Sequence, residues 1–266
     1  MTFRRLRILV LLGMLAAAFG LTWLEQNMVQ AWRVPLDVAV IPINGDGSDA
    51  AAETISKLQA SDFEDINAFI ERETVRYGVK LERAMNIDLQ PELKVHPPAS
   101  PRDGSALQNV FWSLKLRWWV YQQSNAWLPQ LGKVKLYVLY HAPQEGVALA
   151  HSLGLQKGLI GVVHAFADPK QSRRNNIVIA HELLHTLGAS DKYGPEGIPL
   201  YPQGYAEADM PQSMPRHEAE IMAGRYVAAN GRAVMPPSLE RCVIGAQTAH
   251  EINLDEGFRQ RYASAR

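Results

Sequence analysis

Residues 175–191 read NNIVIAHELLHTLGASD, and this stretch decides the fold. Ile177, Val178, Ala180, Leu183, Leu184 and Leu187 recur at helical spacing, so a helix is predicted over residues 175–187, stopped by Gly188. His181 and His185 lie four apart, which on a helix projects both imidazoles from one face and lets them close on a single cation. Two imidazoles alone make a loose site. Gly188 lets the chain leave the helix through positive φ and turn back, and Asp191 then offers its carboxylate to the same ion. Three protein ligands with one position left for water describe a catalytic zinc rather than a structural one. Glu182, beside the first ligand, can reach that water without binding the metal, which suits it to be a general base. HExxH alone is expected by chance in roughly 1–2% of chains of this composition. With the Gly and Asp added, the figure falls to roughly a few in a hundred thousand, so the pattern carries weight.

The run HExxHxxGxxD at residues 181–191 resembles the metzincin clan of zinc metallopeptidases, in the variant where Asp replaces the third His, as in the snapalysin family. The resemblance implies an α+β fold: a metzincin-like domain with a mixed sheet, an active-site helix flooring a zinc cleft, and a mostly helical C-terminal part. It also implies a Met-turn beneath the metal, for which Met222 in AEIMAGRY is the candidate. Clan members often place a Tyr two residues after this Met; here Tyr226 lies four residues after it, so that role does not carry over. Tyr193 and Tyr226 each remain candidates for hydrogen-bonding an oxyanion. The third ligand has alternatives. If Asp191 is a surface residue paired with Lys192, then Glu218 or Glu220, downstream like the glutamate ligand of the gluzincins, takes its place, with His217 more remote.

The rest of the 266 residues sets the context. The chain is 47% hydrophobic and 20% charged, with 19 Gly and 16 Pro, a globular composition. Lys plus Arg equals Asp plus Glu, 27 against 27, so no global field draws the protein to nucleic acid, and no such partner is expected. The single cysteine, Cys242, excludes an intrachain disulfide. It follows the motif and no Cys precedes it, so latency through an upstream thiolate on zinc is not available. Arg4, Arg5 and Arg7 precede an uncharged run over residues 8–24, readable as a membrane anchor or as a cleaved signal peptide with Ala16, Ala17 and Ala18 near its end. On either reading the basic flank stays cytoplasmic and the remainder is exported. Residues 1–30 are therefore taken as the targeting segment and 31–266 as the catalytic part.

Further elements are predicted along the chain. Residues 34–43 read as a strand pushed towards a sheet edge by Pro35 and Pro42, followed by a flexible NGDGSDA link. A helix capped by Ser61 with Glu64 carries Phe63, Ile66, Phe69, Ile70 and Tyr77. Residues 89–95 suggest a strand and 96–104 a proline-rich turn. A helix over residues 106–125 places Val110, Phe111, Leu114, Trp118 and Tyr121 on one face, read as core. Strands follow at 133–140 and 159–166; if the latter is the sheet edge facing the cleft, an extended peptide can add to it. His164 there is a candidate cleft residue, while His96, His141, His151 and His250 lack ligand spacing. Residues 189–215 hold five Pro and three Gly and read as a long functional loop, and a last helix is expected over residues 238–252.

The resulting expectation is a zinc-dependent endopeptidase, exported and tethered through its N-terminal segment, acting on a polypeptide substrate. A non-haem iron enzyme with a two-His-one-carboxylate site and a non-catalytic binding module on a metallopeptidase fold are the alternatives. Glu182 weighs against both.

Overall fold

A computed structural model describes residues 3–101, 105–124, 131–143 and 149–255. Its elements are, in chain order, α1 (Phe3–Val29), β1 (Leu36–Asn44), α2 (Asp49–Lys57), α3 (Glu64–Arg76), β2 (Met85–Leu89), α4 (Ala106–Gln123), β3 (Lys133–His141), β4 (Leu153–Leu155), β5 (Ile160–Phe166), α5 (Ser172–Leu187), β6 (Ala219–Glu220), β7 (Tyr226–Val227), β8 (Ala233–Val234), β9 (Cys242–Val243) and α6 (Ala246–Glu251). The fold is α+β. One mixed five-stranded sheet has the order β2-β1-β3-β5-β4, in which only β4 runs antiparallel to its neighbour.

Side-chain alternation divides the sheet into two faces. Val38, Val40, Leu136, Val138 and Val163 meet α2, α3 and α5 in the larger core, while Ile43, Tyr137, Leu139, Ile160 and Val162 meet Leu116, Trp119 and Val120 of α4 in the smaller one. The N-terminal helix α1 has a mean hydropathy of 2.0 and none of its apolar window is buried, so it is long and apolar enough to cross a membrane or serve as a signal sequence. Its end is nonetheless joined to the folded part. Val29 and Trp32 enter the larger core, Trp32 Nε1 donates to the Ile252 carbonyl at 2.8 Å, and the Gln30 amide donates to the carbonyl of Leu187.

Several sequence-based expectations are corrected. β1 is central, not an edge. The Val40 and Pro42 carbonyls accept from Gln90 and Leu93, so the missing N–H of Pro42 faces the side where β2 has already ended and costs no ladder bond. The expected flexible link runs into the start of α2, capped by Ser48, whose hydroxyl accepts from Ala51 N, with Ala51 and Ile55 buried further along the helix. Ahead of α3 a short 3₁₀ turn replaces the Ser61 cap, closed by a reciprocal Gln59–Asp62 capping box, though Phe63, Ile66, Phe69 and Ile70 are buried as expected. The strand expected at 89–95 lies at Met85–Leu89 and stops before Pro91. β5 is not the edge, because β4 pairs with its outer side. The expected last helix breaks into a 3₁₀ turn at Leu239–Arg241, the strand β9 pairing with β6, and the six-residue α6 beginning after Gly245. Among the described residues the C-terminal part is therefore mostly turns and loops, not mostly helical.

The outward face of α4 is also opposite to expectation. Leu116, Trp119 and Val120 face the sheet, whereas Val110, Phe111, Leu114, Trp118 and Tyr121 are exposed. Asn125 and residues 102–104 of the proline-rich turn lie outside the described residues.

Candidate metal centre

The helix predicted from the motif forms as α5, and Gly188 closes it with φ 108°, a left-handed conformation that only glycine adopts without strain. A second glycine sets how closely the edge strand lies on this helix. A Cβ at Gly154 of β4 would meet His185 Cβ at 2.4 Å and the Glu182 carbonyl at 2.5 Å, so any larger residue would push the strand off the helix. Gly161 lies opposite it in β5.

The two imidazoles are oriented by the backbone. His181 Nδ1 lies 2.9 Å from the Ile221 carbonyl and His185 Nδ1 lies 2.8 Å from that of Ala189. A carbonyl only accepts, so each Nδ1 carries the proton and each Nε2 presents a lone pair. Both Nε2 atoms face one oxygen: Asp191 Oδ1 lies 3.1 Å from that of His181 and 3.2 Å from that of His185. Two lone pairs and a carboxylate oxygen at these distances repel unless they share a proton or a cation. Tetrahedral coordination at about 2.05 Å would put neighbouring ligand atoms about 3.3 Å apart, so the observed spacing fits a small divalent ion with little adjustment.

The local electrostatics agree with that donor set. Burial works against a charged His181, but the hydrogen bond it can donate to Asp191 and the neighbouring Glu182 outweigh it and raise its pKa. Burial likewise disfavours the Asp191 carboxylate, yet the two imidazoles hold its pKa well below the usual range. Glu182 is only 4% exposed, and burial pushes its carboxyl upward. Its Oε2 is buried with no hydrogen-bond partner, an orphaned acceptor beside the imidazoles.

Asp191 is held from both sides. Glu251 of α6 accepts from Ser190 N at 2.8 Å and from the Ser190 hydroxyl at 2.9 Å, and its carboxylate pairs with the buried Lys192 ammonium at 2.8 Å. Lys192 N also donates to the Met222 carbonyl at 3.0 Å. Lys192 thus pairs with Glu251, not with Asp191. Met222 is fully buried in the tight turn after Glu220, the turn that supplies the Ile221 carbonyl to His181.

The other candidates separate clearly. Glu220 is fully buried and accepts from Ala223 N, Gly245 N and the Thr248 hydroxyl, so its carboxylate is engaged in the C-terminal scaffold. Among the described residues no hydrogen bond or ion pair joins it or Glu218 to the imidazoles, and His217 is exposed. Tyr193 is brought to the site: its ring lies 6.3 Å from that of His181, and burial together with the hydrogen bond it donates to Asp191 pushes its hydroxyl up to about 12. Tyr226 pairs with Val234 in a separate hairpin and does not line the cleft. Cys242 is buried, its thiol pushed up to about 12.

A cleft of about 660 Å³ opens beside the candidate ligands, lined by His151, Ser152, His164, Glu182, Tyr193 and Arg225, among others. His164 therefore reaches the cleft, and its Nδ1 lies 2.9 Å from His141 Nε2. Part of the long loop after Asp191 forms the opposite wall. Its further reach is ordered by Arg216, which is buried, donates to the Met210 and Pro211 carbonyls and stacks over Tyr205. Glu251, β4 and the His141–His164 pair escaped sequence reasoning, because nothing in local spacing ties them to the motif. No model of a known protein family matches this chain, and no curated protein matches it significantly.

Proposed function

We propose that the protein is a zinc-dependent endopeptidase, anchored through α1 with its catalytic part on the exported side. The convergence of His181 Nε2, His185 Nε2 and Asp191 Oδ1 beside the unpartnered Oε2 of Glu182 carries this reading. The motif's resemblance to the metzincins, the parallel sheet with one antiparallel edge strand, and the buried Met222 turn tied to His181 support the same family assignment.

His181, His185 and Asp191 would hold the ion, which when bound supplies Lewis acidity towards a substrate carbonyl and a coordinated water. The backbone carbonyls of Ile221 and Ala189 keep both imidazoles in the tautomer that binds metal. Glu182 takes the proton from the attacking water and passes it to the departing amine nitrogen; its burial makes it a stronger base than a solvated carboxylate. The free edge of β4, next to the cleft residues Ala150 to Ser152, suits an extended polypeptide, which would add as a further strand and lie across the ligands. Arg4, Arg5 and Arg7 in the first turns of α1 favour a cytoplasmic N-terminus.

The test is a peptide-library cleavage assay on wild type and Glu182→Gln. The substitution is expected to lower kcat about 10²–10⁴-fold while bound zinc is retained. Cleavage at the wild-type rate by the variant would remove Glu182 as the base, and a wild-type protein that binds zinc but cleaves no peptide would leave a binding module.

A further inference from the structure

We propose that the outward stripe of α4 is a second membrane-contacting surface, seated in the headgroup region of the bilayer that α1 enters; this rests on the reading of α1 as a retained anchor. At about 100° per residue, Leu107, Val110, Phe111, Leu114, Trp118 and Tyr121 fall within an arc of about 100° on the helix. All six are exposed, Phe111 at 70% and Trp118 at 61%, while the opposite side of the same helix fills the smaller core. A helix already packed on one side has no reason of stability to carry a second apolar stripe into water. An exposed patch of this kind marks an interaction site.

The position of α1 indicates what covers it. All four parallel strands begin at the same end of the sheet, and α1 meets the folded part at that end through Val29, Gln30 and Trp32. Glu25, near the end of α1, interacts with Lys135, whose side chain lies on the α4 face of the sheet alongside Tyr137 and Leu139. Met28 reaches Gly132, and Arg117 of α4 donates to the Lys157 carbonyl in the turn before β5. The end of α1 and the C-terminal half of α4 therefore share one edge of the molecule. Because the end of α1 is docked in the core, the folded part cannot swing freely away from the bilayer.

The chemistry of the stripe suits the lipid interface more than a protein groove. Trp118 and Tyr121 stack with ring centroids 5.6 Å apart, and amphipathic aromatics concentrate at headgroup depth. Lys115, exposed beside the stripe, can lay its long stem along acyl chains while its ammonium meets phosphates.

The full chain in phosphatidylcholine–phosphatidylglycerol vesicles provides the test. On a Cys242→Ala background, fluorescent labels are placed at Phe111→Cys and Trp118→Cys, at Leu12→Cys within α1, and at Lys57→Cys on α2, which packs on the opposite face of the sheet. Quenching by nitroxide-bearing lipid at positions 111 and 118 is expected within about twofold of position 12 and at least about fivefold above position 57. Strong quenching at 12 with 111 and 118 as unquenched as 57 would overturn the α4 surface and leave the anchor intact. Quenching at 111 and 118 without quenching at 12 would overturn the anchor and keep the surface. Labels at 111 and 118 shielded from both lipid quencher and aqueous iodide would mean that protein, such as a second copy, covers the stripe, and would overturn the lipid assignment.

Discussion

Lys192 and Glu251 lie 59 residues apart and form a 2.8 Å ion pair, its ammonium buried and its carboxylate half-buried, that brackets Asp191, since the same carboxylate also receives both polar hydrogens of Ser190. Asp191, the proposed third ligand, therefore sits in a loop whose neighbours on either side are fixed to α6. Glu251→Ala leaves the buried Lys192 ammonium without its counter-charge, with the Ser190 carbonyl and hydroxyl still accepting from it, and is expected to cost about 1.5–3 kcal/mol in chemical denaturation. The double variant Lys192→Met, Glu251→Gln removes both charges and should recover most of that stability. Its zinc affinity, read by competition with a chromophoric chelator, should still fall about 10–100-fold because Ser190 is held less well. Wild-type affinity in the double variant would mean that Asp191 needs no such support.

Gly154→Ala introduces a methyl where His185 Cβ and the Glu182 carbonyl already stand, both within 2.5 Å of the new atom. A clash with a helix backbone cannot be relieved by a rotamer change, so β4 must move. The expected loss is about 1–3 kcal/mol, seen as a lower Tm, together with a raised KM for extended peptides. An unchanged KM would separate β4 from substrate binding.

The helix and the convergence of His181, His185 and Asp191 were legible in the sequence, because helical spacing and the Gly188 stop point the same way. The α4 face was not, for a physical reason. Leu116, Trp119 and Val120 form one apolar stripe and Val110, Phe111, Leu114, Trp118 and Tyr121 another, and periodicity cannot tell which of the two meets the sheet. Pro42 misled in a different way: a proline is disfavoured in a central strand only where a neighbour needs its N–H, and β2 ends before that point. Gly154 and Glu251 act through close approach and long-range pairing, neither of which leaves a trace in local spacing.

The His141–His164 pair predicts a pH dependence of stability. Burial, reinforced by His141, holds the His164 pKa down at about 4, and burial lowers that of His141 as well. Below about 6.5 the unfolded chain takes up protons that the folded one refuses, so stability falls as pH drops from about 6.5 towards 4. His164→Gln keeps a hydrogen-bonding side chain without that proton and should flatten the slope in this window. Urea midpoints at several pH values, compared between the two proteins, check this; equal slopes would remove the pair as the cause.

On the proposed reading, His181, His185 and Asp191 together hold one catalytic divalent ion. Elemental mass spectrometry on the full chain, purified without a His tag, tests it directly. About one zinc per chain is expected, lost in His185→Ala and strongly reduced in Asp191→Ala. Iron at that stoichiometry would favour an oxygenase. No metal after zinc is supplied to folded protein, or full zinc occupancy in both variants, would contradict the site.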